Sequence, residues 1–430
     1  MTAPRSFAEN VVFAGISAAS NGLAFLLMLY AQFKLDTDHM GLLNIAFAFA
    51  AIGEPLMDFG LHQAGIRQIA RDRSSARSVL ANSIPMKAMS GAGMFVALAI
   101  IALVWYPEAA PAAWLMLASA FIRSYLLTIR GVLQGLEHFR HDAAVMLADR
   151  AFMLAGGAAV LYMGGGVRAL ALSFVVTRAA ALVIAVILTR KHVSDITVSF
   201  DTLAWRELRD TAVPLGAFLL VLTVYNYVDQ LLLAKILGDN GKWDVGVYGV
   251  VYRVYEALTY GSGILASVLT PRFAALWATD RLAHRQLAWR GVAGAAALGC
   301  AVGAVAWIGA PFAIRLLFTP DYLEGVRALR ILCAGLGLVF AIWILHAIAM
   351  SVFDARLLLK TTVVSLIVNV GLNLWLIPMW HRDGAAAATV GGELIAFLML
   401  AAGLRRTLNR PVHPEPCTLH PAPRTPHPEP

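Results

Sequence analysis

Charge is what this chain has least of. Only 14% of its 430 residues are Asp, Glu, Lys or Arg, against 59% hydrophobic residues. A soluble globule carries about a quarter charged residues, and a mean hydropathy of +0.71 places the chain far outside that class. Cysteine is scarce as well. Cys300 and Cys333 fall in apolar runs and Cys417 in the C-terminal tail, so no disulfide framework is implied. Catalytic signatures are missing: the chain has no HExxH, Walker A, GxSxG or CxxC motif, and its histidines lack metal-ligand spacing along the sequence. An ATP-driven pump within the chain is thereby excluded, and neither enzymatic activity nor a metal or cofactor site is expected. No loop exceeds roughly 20 residues, which leaves no room for a soluble catalytic domain. The work of this protein is expected inside a membrane.

What the chain does have is apolar length. A membrane-spanning helix needs about 20 apolar residues, and such runs lie near 10–33, 42–66, 79–105, 112–135, 143–163, 168–189, 211–237, 247–271, 291–318, 325–352, 357–378 and 384–404. The expected fold is an all-α polytopic membrane protein of about 12 transmembrane helices. Met1–Ser20 has the look of a signal peptide, but its apolar run continues to Phe33, which favours a first span. The net charge of +8 does not form one basic stripe, so no nucleic-acid partner is expected. Basic residues instead cluster in alternate loops, around Arg67–Arg77, Arg190–Arg209 and Arg272–Arg290. By this reading roughly 20 Lys and Arg lie on one side and about 4 on the other (Lys34, Arg168, Lys242 and Arg382), which places both termini in the cytoplasm.

The longest basic connection, Arg190 to Asp210, divides the chain into two six-helix lobes, 1–195 and 196–408, followed by a Pro- and His-rich tail, 409–430, that cannot build a core. The halves echo one another. Lys34-Leu-Asp-Thr-Asp-His-Met-Gly41 follows the first span, and the Lys235 to Gly246 turn follows the seventh. An even number of spans per half relates the lobes by an axis along the membrane normal, with a site at their interface.

Several spans carry ionisable residues, which cost about 2.5–3.5 kcal/mol each at mid-bilayer on insertion scales and therefore mark wet cavities or buried pairs. Glu54, Asp58 and His62 recur every fourth residue in the second run, and Arg123 and Arg130 are seven apart in the fourth. Lys87, Asp149, Arg150, Arg178, Asp229, Arg253, Glu256 and Glu393 complete the set. Arginine holds phosphate bidentately and stays charged, so Arg123, Arg178, Arg253, Lys87, Arg150 and Arg130 are candidates for an anionic substrate. The alternative is that they pair across helices and fix the packing, most simply for Arg253 with Glu256 at i and i+3. Asp229, Asp58, Glu54 and Glu393 are candidates for proton or sodium coupling, with counter-ion roles as the alternative. Tyr248, Tyr252 and Tyr255 share a face suited either to sugar stacking or to packing. Pro55, Pro85, Pro214 and Pro378 are places where spans bend, and Gly299-Cys-Ala-Val-Gly303 is a helix-packing face.

Together these segments resemble the Wzx-type lipid-linked oligosaccharide flippases, in the superfamily that also contains the MATE drug exporters and the lipid II flippases. The similarity is carried by Lys360 with Asn369, Asn373, Ile377-Pro378, Gly384-Ala-Ala and Glu393, by Asp58-Phe-Gly-Leu61 with Arg67 and Arg71, and by Pro214 to Asp229 followed by Gly246-Val-Tyr248 and Arg253. Trp380-His-Arg-Asp383 departs from the family's usual turn, and the first span offers Asn21 but no acidic residue, unlike proton-coupled exporters. The resemblance implies a bacterial inner-membrane protein that moves an undecaprenyl-pyrophosphate-linked oligosaccharide between leaflets by alternating access. Membrane lipids and the polysaccharide polymerase machinery are the partners it implies. The competing expectations are a cation-coupled multidrug exporter and, in another class, a membrane-embedded glycan polymerase or ligase, for which the large outer loop is missing.

Overall fold

The computed structural model describes residues 22–193, 198–352 and 354–408. The segment before Gly22, Asn21 included, and the tail with Cys417 lie outside the described residues. Among those described, all regular structure is helical: α1 (Gly22–Lys34), α2 (Thr37–Asp58), α3 (Leu61–Arg71), α4 (Ala76–Trp105), α5 (Ala110–Gly135), α6 (Phe139–Tyr162), α7 (Val167–Arg190), α8 (Thr202–Leu237), α9 (Gly241–Thr279), α10 (Arg281–Leu317), α11 (Val326–Ser351) and α12 (Ala355–Leu408). Among the described residues, nine helical runs are long and apolar enough to cross a membrane. Two of them, Gly216–Thr279 and Arg356–Leu408, are interrupted, the first by the 3-10 turn Gly238–Asn240 and the second at His381, where φ is 51°.

Local chemistry sets the helix ends. Asp36 caps α2 by accepting the His39 N–H at 2.8 Å, and Asp280 caps α10 by accepting that of Ala283 at 2.9 Å. The expected second span, 42–66, does not survive as one helix. Phe59 and Gly60 both take left-handed backbone (φ 51° and 78°), so the chain turns and restarts as the amphipathic α3. His62 therefore leaves the face of Glu54 and Asp58, and its backbone N–H donates to Asp58 Oδ2 at 3.3 Å from the next helix.

Helices α2 to α7 pack chiefly on one another, and so do α8 to α12; α2 and α3 against α8 and α9 join the two groups. The most apolar stretch of α4 is only 11% buried, so its row Val96, Ile100, Leu103 and Val104 suits lipid contact, whereas α11 at 67% is the centre of its group. The GxxxG face behaves as expected. A Cβ at Gly299 would stand 2.6 Å from Leu336 O, and one at Gly303 would run into Cys333 O, so both glycines let α10 rest on the backbone of α11.

Polar contacts identify the two ends of the bundle. At one, Arg73 pairs with Glu137, and the Asp201 N–H donates to Asn82 Oδ1 at 3.0 Å. At the other, Lys242 meets Glu108 at 3.1 Å, Arg382 meets Asp244 at 2.6 Å and Arg327 meets Asp383 at 3.3 Å. This second end also carries Lys235, Arg315 and Arg330, so the count of about four basic residues there was too low. The helix boundaries explain the difference: residues counted within spans stand near helix ends.

Candidate substrate and coupling sites

The cations of the first helix group divide by how fully they are paired. Lys87 is completely buried on α4; its Nζ lies 2.6 Å from Asp58 Oδ1 and also donates to Ser124 O. Arg130 Nε lies 2.6 Å from Asp142 Oδ1, and Gln134 shares that carboxylate at 2.9 Å. Both are committed to packing, as the pairing alternative anticipates.

Arg123, Arg150 and Arg178 are different. Arg123 of α5 and Arg178 of α7 approach two carboxylates, Glu54 of α2 and Asp149 of α6, and Arg150 of α6 lies in the same electrostatic neighbourhood. Arg123 Nε is 2.7 Å from Glu54 Oε2 but off the hydrogen-bonding axis, and Arg123 Nη1 is 3.8 Å from Asp149 Oδ2. Arg178 Nε stands 3.9 Å from the other oxygen of Asp149, and its Nη1 reaches Ser119 O only at 3.5 Å. Arg150 feels the charges of all four neighbours. Arg123 Nε, Arg178 Nε and Asp149 Oδ1 are buried without a hydrogen-bond partner among the described residues. Three guanidiniums against two carboxylates leave a surplus positive charge with unused N–H donors, an arrangement able to accept an oxyanion. Arg253 stands apart on α9. It donates to Asn44 Oδ1 at 3.1 Å and covers the Phe47 ring at 5.1 Å, so it bridges the two helix groups rather than pairing with Glu256.

The carboxylates divide in the same way. Glu54 and Asp58 have cationic partners. Asp229 and Glu393 are buried in the second group and form no ion pair among the described residues. Asp229 accepts from Tyr248 OH at 2.6 Å and from Thr389 Oγ1 at 3.5 Å, while Glu393 accepts from Tyr255 OH and leaves Oε2 unpartnered. The counter-ion role expected as the alternative for Asp229 finds no arginine to serve. Tyr248 and Tyr255 are themselves buried, which withdraws both from sugar stacking. Their pairing with the carboxylates was not legible in advance, although their sequence positions, on the same face of α9, were the available signal. Elsewhere on α12, Asn373 Nδ2 donates to Asn369 Oδ1 at 3.0 Å, and Ser365, Thr361 and Asn369 keep unpaired polar atoms. Hydroxyl-bound carboxylates among spare polar groups are suited to taking up a proton or a small cation.

The fold has close counterparts among solved structures. An inward-facing MATE multidrug resistance transporter of the MOP superfamily is 16% identical and superposes with a TM-score of 0.77, covering 91% of this chain and 94% of that one. A MOP superfamily transporter from Pyrococcus furiosus is 17% identical with a TM-score of 0.66, at 93% and 95% coverage. The lipid II flippase MurJ in an inward closed conformation is 13% identical with a TM-score of 0.65, at 92% and 87% coverage. These likenesses establish a shared fold. No curated protein matches the sequence. A family model described as polysaccharide biosynthesis protein matches residues 8–277, and since that match spans more than half of the chain, this protein belongs to the polysaccharide biosynthesis protein family.

Proposed function

We propose that the protein is a flippase that carries an undecaprenyl-pyrophosphate-linked oligosaccharide from the cytoplasmic to the periplasmic leaflet of a bacterial inner membrane, for cell-surface polysaccharide biosynthesis. The observation that carries this reading is the half-buried group Arg123, Arg150 and Arg178, which holds more positive charge than Glu54 and Asp149 offset and reaches Asp149 only by long contacts, in a member of a polysaccharide biosynthesis family. Pyrophosphate would displace the distant Asp149 contacts and use the free guanidinium donors, while the lipid tail stays in the bilayer. In this reading twelve spans form lobes 1–195 and 196–408 with both termini cytoplasmic, and transport exchanges access to a cavity between them. Asp229 and Glu393 link that exchange to proton or sodium uptake, and the polymerase machinery receives the product.

The test is reconstitution with a defined undecaprenyl-pyrophosphate oligosaccharide in liposomes. Arg123→Ala and Arg178→Ala are each expected to reduce flipping by about 100-fold, equivalent to about 2.7 kcal/mol, with the protein still folded. Flipping at the parent rate in both variants would remove the phosphate-binding role.

One observation favours a second reading. Buried, hydroxyl-bound carboxylates such as Asp229 and Glu393 also serve a cation-coupled multidrug exporter. Drug efflux from cells expressing the protein, with no movement of the lipid-linked glycan, would select that reading.

A further inference from the structure

Three histidines unused by the transport reading meet at the basic end of the bundle. His138 closes the turn between α5 and α6, His141 stands in the first turn of α6, and His192 follows the last turn of α7. One ring nitrogen from each lies within 4.8 Å of the others. The His138 and His192 rings stack with centroids 3.7 Å apart, and His192 Nε2 is 3.2 Å from His141 Nδ1. We propose that this trio is a binding site for a divalent transition metal, Zn2+ above all, which takes three imidazole nitrogens and one solvent ligand and so ties the α5–α6 turn to the end of α7.

Ligand chemistry selects the ion class. Imidazole suits zinc, copper and nickel, whereas calcium and magnesium require oxygen ligands. A tetrahedral zinc ion with Zn–N bonds near 2.0–2.1 Å sets its nitrogens about 3.3 Å apart. One pair is already at that spacing, and side-chain rotation closes the rest. The backbone beneath the rings is fixed. The His138 N–H donates to Leu133 O at 2.8 Å, that of His141 to His138 O at 3.1 Å and that of His192 to Thr189 O at 2.9 Å. Glu137, at φ 65°, is held by Arg73, which sets the entry into the turn. All three histidines are half-buried, so solvent reaches the site to bring the metal and supply its fourth ligand. Along the chain the trio reads only as H-x-x-H with a third member 51 residues away, a separation that conceals it.

The experiment uses the full chain with the tail histidines His413, His420 and His427 changed to Gln, which removes the other metal-capable set. Zn2+ titrated into this purified parent is expected to bind at one ion per chain and to raise the thermal midpoint. His138→Gln, His141→Gln and His192→Gln are each expected to weaken binding by about 100-fold while keeping the metal-free thermal midpoint of the parent. Co2+ in place of Zn2+ is expected to give the strong visible absorption of a four-coordinate ion. A parent that binds no Zn2+, variants that bind it as tightly as the parent, or a weak six-coordinate Co2+ spectrum would each overturn the site.

Discussion

At the residue scale, what separates one buried cation from another is whether its donors are used. Lys87 has no exposure and two strong acceptors, so its charge exists to satisfy Asp58 and the Ser124 carbonyl. Removing one member of such a pair strands the other in a low-dielectric interior, at about 3–5 kcal/mol. Lys87→Met is therefore expected to cause a marked loss of folded protein in thermal-stability assays, and the double variant Lys87→Met/Asp58→Leu to recover part of it. The opposite holds for Asp229 and Glu393, whose partners are hydroxyls. Asp229→Asn and Glu393→Gln preserve shape and can still bond those hydroxyls, so folding is expected to survive. Transport in proteoliposomes should lose its dependence on an imposed proton or sodium gradient; a response equal to the parent's would exclude the coupling role. In the sequence, all ten candidates share one description, an ionisable residue in an apolar run. Pairing depends on which side chain arrives from another helix, and local periodicity carries no record of that.

At the element scale, α2 and α9 make the closest join between the two helix groups. Gly41 lies against the Lys242 carbonyl and Gly246 against the Thr37 carbonyl, with Asn44 Nδ2 donating to Val245 O at 3.3 Å. A side chain at Gly41 would collide with backbone, which cannot move aside as a flexible side chain can. Gly41→Leu is expected to hold this end apart, raising thiol-reagent labelling of a cysteine placed at Asn240 and slowing transport at least tenfold. Unchanged labelling would show that the join does not close the cavity at this end. Helix existence was legible because apolar runs of 20 residues have few other solutions in a membrane. Helix ends were less so, since the break at Phe59–Gly60 rests on two left-handed residues inside a stretch whose hydropathy reads as one span.

For the whole molecule, the proposed orientation rests on the distribution of charge along the membrane normal. The end with Arg73, Arg190 and Lys191 remains the more basic even after Lys235, Arg315, Arg327 and Arg330 are assigned to the opposite one. Cysteines introduced at Asp239 and Glu324 are expected to react with an impermeant thiol reagent in intact spheroplasts, and one at Arg73 only after permeabilisation. The reverse pattern would invert the proposed topology and with it the direction of transport.

The sequence by itself determined that this is a helical, multi-pass membrane protein with charges where lipid cannot tolerate them, because hydropathy and helix length are properties of contiguous residues. Only the tertiary structure decided how each charge is paired. It saturated Lys87 and Arg130, left Arg178 with only long contacts to Asp149 and Ser119, gave Asp229 and Glu393 hydroxyl partners, and brought His192 to two histidines 51 and 54 residues earlier in the chain. Those outcomes depend on distances between helices, and a linear pattern of residues does not contain them.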